Sequence, residues 1–339
     1  MGRSPPANHG AFAQMNDRPA ITVLMTVFNG GRHLAPAVQS ILSQSHRDFE
    51  FLIVDDASSD ESIETLRRFG LQDCRVRLLL NEKNKGQTAC LNQGLREAKG
   101  KWIARQDADD LSLPDRLAMQ WAAIRSCPDL VLIGVNGWII DEAGICRGMI
   151  HAPLHDPGIR WSMPFRNPFI HTGVMFRAGE GFYDEEFRIC QDWDFWSRLA
   201  ERGRIANLPN RLVAYRHSEK SLSHSSAERT ANESAAIVDR IWRGRFGVEA
   251  DAPSILADFR HGLSPENRKK FWSLYLEMRA RWSRGDIRQA VAVHHIQAAG
   301  SIGGKDLAAC TAEIFSGLRH SPAWTLGVLR DRLFSRPRL

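Results

Sequence analysis

The feature that most constrains this chain is an alternation through its first half. Short runs rich in Val, Ile and Leu are each followed by a stretch with helical spacing. Residues 21–28 are apolar and end at Asn29-Gly30-Gly31. A helix over about 34–45 follows, with Pro36 in its first turn, where the missing N–H costs little. Residues 49–54 predict a second buried strand ending at Asp55-Asp56. Ser58 to Asp60 can cap the next helix, which closes near Gly70. Residues 76–80 predict a third strand and 86–98 a helix closed by Gly100. Residues 102–105 predict a fourth strand that runs into Asp107-Ala108-Asp109-Asp110, and Pro114 opens a helix to about Ser126. Strands separated by helices of this length argue for crossover connections and an α/β fold with a mainly parallel central sheet flanked by helices. In such sheets ligands bind beyond the carboxyl ends of the strands. Both acidic clusters lie at strand ends and should therefore face one crevice.

The 339 residues suffice for one large domain and an appendage. With 43% apolar and 25% charged residues, disorder is excluded as the default state. Residues 1–19, rich in Pro, Gly, Asn and Ala, read as a disordered leader without a signal-type apolar run. No stretch reaches the ~18 apolar residues needed to span a bilayer. The six cysteines form no Cys-x-x-Cys pair, which excludes a zinc ribbon or thioredoxin-like site and suits reduced thiols in a cytoplasmic protein. Beyond about residue 226 the chain turns helical. From Arg260 onward it carries fourteen Lys/Arg against six Asp/Glu, although the net charge of the whole chain is only +6. Two readings of this basic tail stay open: a peripheral contact with the inner face of the cell membrane, or a solvated helical surface. Nothing points to nucleic acid as a partner.

Several groups can carry chemistry. Residues two apart on an extended backbone point the same way, so Asp107 and Asp109 can hold a hard divalent cation and leave room for phosphate oxygens; a polar loop capping the next helix is the alternative. Asp55-Asp56 can accept hydrogen bonds from a ribose or base, or cap the helix behind them. Asp192, in Gln191-Asp192-Trp193-Asp194-Phe195-Trp196, is a helix N-cap or a general base for a hydroxyl. A helix N-terminus stabilises its anion and so should make it a weaker base. His171 and His217 are structural residues or ligands. No Gly-x-Gly-x-x-Gly follows the first strand and no Walker A loop is present, which disfavours a nicotinamide dehydrogenase and a P-loop kinase.

The ordered series Thr22-Val23-Leu24-Met25-Thr26-Val27-Phe28-Asn29, Val54-Asp55-Asp56-Ala57-Ser58-Ser59-Asp60, Asn81-Glu82-Lys83-Asn84-Lys85-Gly86 and Ala104-Arg105-Gln106-Asp107-Ala108-Asp109-Asp110 strongly resembles family 2 glycosyltransferases. Asn167-Pro168-Phe169-Ile170-His171-Thr172, the Gln191–Trp196 motif and Tyr215-Arg216-His217 continue the match in order. The resemblance covers about residues 20–225 and implies a GT-A (Rossmann-like) catalytic domain there, with residues 226–339 as a basic helical appendage. It also implies an inverting transferase that moves a sugar from a nucleotide diphosphate donor, a UDP-sugar first, to a glycan or lipid-linked acceptor in cell-envelope polysaccharide synthesis. By resemblance, Phe28, Asn29, Asp55, Asp56, Lys85, Gly86, Arg105 and Asp107 line the nucleotide. Asp109, with Asp107 and His217, would hold Mn2+ or Mg2+. Asp192 would be the catalytic base, and His171 and Trp193 would meet the acceptor. Two departures stand out: Phe28 replaces a frequent Tyr, and Gln191 replaces a frequent Glu. Two rival readings remain: a nucleotidyltransferase, which leaves the Asp192 motif without a role, and a non-catalytic binding module on the same fold.

Overall fold

The computed structural model describes residues 19–217 and 226–246. Its first half follows the expected alternation: β1 (Ile21–Val27), α1 (Gly31–Leu42), β2 (Phe49–Asp55), α2 (Ser62–Gln72), β3 (Val76–Leu80), α3 (Gln87–Glu97) and β4 (Trp102–Asp107). Then come the short β5 (Leu111–Ser112), α4 (Arg116–Ser126), the long β6 (Leu130–Ile140), β7 (Cys146–Ile150) and α5 (Asp156–Ser162). A 3-10 turn (His171–Gly173) precedes β8 (Met175–Arg177), α6 (Gln191–Leu199), β9 (Arg204–Arg216) and α7 (Ala227–Phe246).

Every residue of β1 and β2 is buried, as expected for central strands covered on both faces. Helix α1 buries Leu34, Ala37, Val38, Ile41 and Leu42, a stripe at helical spacing. Each such aliphatic side chain withdrawn from water contributes roughly 1.5–3 kcal/mol. Pro36 lies inside α1 rather than in its first turn, because the helix starts at Gly31.

The nine strands among the described residues form one sheet in the order β3-β2-β1-β4-β8-β6-β9-β5, with β7 paired to β6. This corrects the expectation of a mainly parallel, Rossmann-like GT-A sheet. The pairs β1–β2, β1–β4, β2–β3 and β6–β9 are parallel, whereas β4–β8, β6–β8, β6–β7 and β5–β9 are antiparallel. The sheet is mixed, and its parallel half ends at β4. The β6–β7 pair is a hairpin: its tight turn over 141–145 is too short for the crossover that parallel neighbours need. Gly144 takes φ 79 there, and Asp141 accepts the N–H groups of Ala143 and Ile145.

Two cores cover the faces of the sheet. One joins α1 and α4 to β1, β2 and β4. The other gathers Trp161, Phe176, Phe195 and Trp196, and α7 enters it with Ile237, Val238, Ile241 and Trp242. The described part of the expected C-terminal appendage is therefore packed into the main body. The rest of that region, including the basic tail, and the leader up to residue 18 lie outside the described residues.

Candidate active site

Strand register sets the first boundary of the crevice. Val27 of β1 pairs with Asp55 and Thr26 pairs with Asp107, so the two acid-bearing strand ends flank the end of β1. Phe28 follows β1 and is 55% exposed. Asn29 takes φ 52, and Ala57, in the facing turn, takes φ 61. Non-glycine residues adopt this region at a cost of the order of 1 kcal/mol, so the surrounding bonds must hold them there.

Those bonds come from the second turn. Ser58 Oγ accepts the N–H of Asn29 at 2.9 Å, Ser62 Oγ that of Gly30 at 2.9 Å, and Asp60 Oδ2 that of Gly31 at 3.0 Å. Asn29 Oδ1 accepts the N–H of Ser59 at 2.8 Å in return. The expected capping of α2 by Ser58 to Asp60 is thus largely replaced by bonds across to α1. The amides that would cradle a diphosphate in a dinucleotide-binding fold are already bonded.

The two acids after β2 differ in what they have left to offer. Asp56 Oδ1 accepts the N–H of Lys85 at 2.8 Å, and its Oδ2 accepts that of Gly86 at 2.8 Å. Gly86, at φ 89, turns this loop into α3. Asp56 therefore shapes the loop. Asp55 is fully buried; its Oδ2 accepts the N–H of Ser58, and its Oδ1 has no partner among the described residues. An unpaired buried acceptor is costly, and a ligand donor would relieve it.

Beyond β4, Arg105 is buried and donates to Asp107 Oδ1 at 2.6 Å. Beneath it the buried Arg116 donates to the Arg105 carbonyl, Gln106 Oε1, Ser112 Oγ and the Thr172 carbonyl. Burial, then the charge of Arg105, holds its guanidinium down at about 9. Thr172 Oγ1 accepts the Asp107 N–H, which ties the 3-10 turn to β4. Burial, then the charge of Asp107, raises Asp109 to about 6, although its outer surface meets solvent. Asp110 is held well above the ordinary carboxylate range by burial and by Asp109 and Asp107. Arg216, at the end of β9, donates its N–H to Asp110 Oδ1 and its Nε–H to the Asp109 carbonyl. Three carboxylates thus crowd one loop, of which Asp110 is buried and taken by Arg216, leaving Asp107 and Asp109 as the two that could meet a cation. Among the described residues no cluster of three His, Cys, Asp or Glu could hold a metal ion, so His217 is not gathered with Asp107 and Asp109. Two carboxylates with substrate phosphates is the usual magnesium arrangement.

Asp192 lies in the first turn of α6. Its Oδ1 accepts the Trp193 N–H at 2.8 Å, and its Oδ2 accepts Asn167 Nδ2 at 2.6 Å. The expectation of a weakened base is reversed. Burial is the largest influence; it outweighs both hydrogen bonds and, with a contribution from the charge of Asp107, lifts the carboxyl to about 6. The ends of α6 and β4 are thus within electrostatic range of one another. Asp194 is a different case. Fully buried, it is paired with Arg198 at 2.8 Å and with Arg240 of α7.

The two acceptor-side residues do not reach the crevice equally. Trp193 is 5% exposed, and its indole N–H bonds the Met163 carbonyl, so it faces the core. His171 packs edge-on to Tyr183 and Trp196, and burial depresses it to about 3, which keeps the imidazole neutral. Asn167, Thr172 and Tyr215 stand in the matching motifs without an assigned role, and nothing in the sequence singles out Arg116. Burial pushes the Tyr215 phenol up to about 12, helped by the charges of Asp110, Asp107, Asp109 and Asp192 in turn. Its place in the Tyr-Arg-His motif was the available signal.

The model of the family described as Glycosyl transferase family 2 matches residues 22–181. The chain is 34% identical over 220 residues to EpsE of Bacillus subtilis, covering 62% of this chain and 78% of that protein. It is 30% identical over 214 residues to the O-antigen biosynthesis glycosyltransferase WbnJ of Escherichia coli, covering 61% and 83%. The amylovoran biosynthesis glycosyltransferase AmsE of Erwinia amylovora is 29% identical over 202 residues, covering 58% and 75%. Among solved structures, S. aureus TarS 1–349 in complex with UDP-GlcNAc superposes with a TM-score of 0.57 at 16% identity, over 94% of this chain and 93% of that one. The mannosyltransferase PcManGT from Pyrobaculum calidifontis, in complex with GDP-Man and Mn2+, superposes with a TM-score of 0.52 at 17% identity, over 94% and 88%. At these identities the structural likeness speaks for the fold alone. The crevice and the relatives lead to one conclusion: the chain belongs to glycosyltransferase family 2 and is a glycosyltransferase.

Proposed function

We propose that the protein transfers a sugar from a nucleotide diphosphate donor, a UDP-sugar first among candidates, to an acceptor hydroxyl with inversion at the anomeric carbon. The observation that carries this reading is the Asp192 carboxylate. Asn167 holds it, burial raises it to about 6, and it lies within electrostatic reach of Asp107. A base poised near the working pH both stays ionised and accepts a proton readily. The acceptor oxygen bonds to the anomeric carbon as the bond to the donor phosphate breaks. Asp192 takes the hydroxyl proton, and the departing nucleotide keeps the electron pair.

On the donor side, exposed Phe28 offers a ring for stacking on a base, and the unpaired Asp55 Oδ1 offers an acceptor to a base or ribose. Asp56 keeps Lys85 and Gly86 in place beside them. Asp107 and Asp109 would hold Mn2+ or Mg2+, which would neutralise charge on the leaving diphosphate. A nucleotidyltransferase would give Asp192 and Asn167 no task. Synthesis of a cell-surface polysaccharide is supported by AmsE and WbnJ, which serve amylovoran and O-antigen biosynthesis. Among the described residues no helix is long and apolar enough to cross a membrane. A lipid-linked acceptor would then be met through a peripheral contact of the basic tail.

The test is nucleotide release from a panel of UDP-sugars and GDP-mannose by purified protein, with Mn2+, with Mg2+ and with excess chelator. Turnover of one donor that stops in chelator is expected. Full turnover in chelator would remove the metal from the proposal, and nucleotide binding without turnover of any donor would contradict it.

A further inference from the structure

Helix α7 lies beyond the stretch matched by the family model, yet it grips the segment that carries Asp192. The Glu233 carboxylate, nearly buried, accepts three consecutive backbone N–H groups: Arg188 at 3.1 Å, Ile189 at 2.9 Å and Cys190 at 2.9 Å. Cys190 is the N-cap of α6, two residues before Asp192. These amides precede the first helical residue and have no helix carbonyl to bond, and the side chain of the N-cap Cys190 makes no capping bond. Two turns further along α7, Arg240 pairs with Asp194 of α6 and with Asp184 at 3.3 Å. Ile237, Val238, Ile241 and Trp242 anchor the helix in the core. On its far side the same segment is held by α3: Asn92 bonds both the N–H and the carbonyl of Tyr183, and Thr88 bonds the Phe187 carbonyl.

We propose that Glu233 is a positioning residue: by holding the amides of Arg188, Ile189 and Cys190 it fixes where α6 begins, and with it the place of the Asp192 carboxylate. This rests on the reading of Asp192 as the base. Small displacements of a reacting group cost catalysis out of proportion to stability. Loss of the clamp should therefore lower turnover while leaving donor binding alone, because the amides that Glu233 holds belong to the segment before α6 and none to the nucleotide-side loops.

The experiment compares Glu233→Gln, Ile241→Val and Asp192→Asn with the full-length wild type. The Glu233→Gln change would set an amide NH2 against backbone donors, whereas Ile241→Val loosens α7 without touching the clamp. Two readings are taken: the midpoint of Asp192 ionisation by carboxyl 13C NMR, and kcat and KM for the UDP-sugar or GDP-mannose turned over. In Glu233→Gln the midpoint is expected to fall by half a unit or more from about 6 toward the ordinary carboxylate value, as the group becomes better hydrated. Its kcat is expected to fall tenfold or more, with donor KM within twofold of wild type. Ile241→Val is expected to lower Tm while leaving both readings unchanged. An unchanged Asp192 midpoint in Glu233→Gln, or equal kcat losses in the two α7 variants, would overturn the proposal. Failure of the base reading looks different: Asp192→Asn would then retain transfer.

Discussion

Replacing Asp192 by Asn should make the protein slower and more stable at once. Asp192 is raised from 3.8 to about 6, chiefly by burial. A shift of about 2 units corresponds to at most about 3 kcal/mol of unfavourable differential interaction for the ionised form. Asn fits the same space and can still accept the Trp193 N–H, but it loses the acceptor for Asn167 Nδ2, worth about 1 kcal/mol. The net expectation is a gain of about 2 kcal/mol above pH 7, a rise in Tm of roughly 4–8 °C for a domain of this size. Between about pH 4 and 6 the unfolded chain releases the Asp192 proton before the folded one does. Wild type therefore loses ground to the variant as pH rises through that window, and the difference is constant above it. Near pH 4.5 the gain and the lost hydrogen bond should cancel, leaving the two proteins about equally stable. Thermal unfolding of both proteins at pH 4.5 and pH 8 measures this. Turnover of the variant should fall by ~10²-fold or more. The wild-type rate should have an acid limb centred near 6, so that about a tenth of the pH 7 rate remains at pH 5. A limb centred near 4, or a variant less stable than wild type at pH 8, would refute the reasoning.

Three further outcomes are expected. Asp109→Ala should abolish metal-dependent donor binding, read by calorimetric titration with Mn2+, while the circular dichroism spectrum stays unchanged. Asp56→Asn should weaken UDP binding by roughly 1–3 kcal/mol, because one of the amides of Lys85 and Gly86 loses its acceptor and the loop opens. Sedimentation with anionic liposomes at low salt should recover full-length protein in the pellet and leave a chain ending at Pro322 in the supernatant; equal recovery would end the idea that the tail anchors the enzyme.

The legible part of this fold was the part in which residue type alone decides position. β1, β2 and β4 are apolar runs buried on both faces, and their acids could only lie at the strand ends. That both acidic clusters face one crevice follows from that; their placement on either side of β1 comes from the strand order β2-β1-β4. The direction of β6, β7 and β8 was not legible, because an apolar run reads the same parallel or antiparallel. For β6 and β7 the turn at 141–145 carried the information, through Asp141 and Gly144, whereas the pairing of β8 with β4 and β6 had no local mark. Asp55 and Asp56 looked alike as neighbours, yet the Asn81–Gly86 loop occupies one and leaves an oxygen of the other unpaired. The direction of the Asp192 shift runs against the sequence expectation because its helix N-terminus is local and visible, while the burial that overrides it comes from distant segments. The clamp by Glu233 was hidden for the same reason, since 43 residues separate it from Cys190.

Inversion is decided by the configuration of the sugar first released from an α-linked UDP-sugar, followed by proton NMR with Mn2+ and water as the acceptor. With Asp192 as the single base, one displacement inverts the centre, so the β-anomer should appear first and mutarotate later. The same time course run with Asp192→Asn should show almost no release. Initial appearance of the α-anomer from wild type would require a second displacement and contradict a mechanism built on one base.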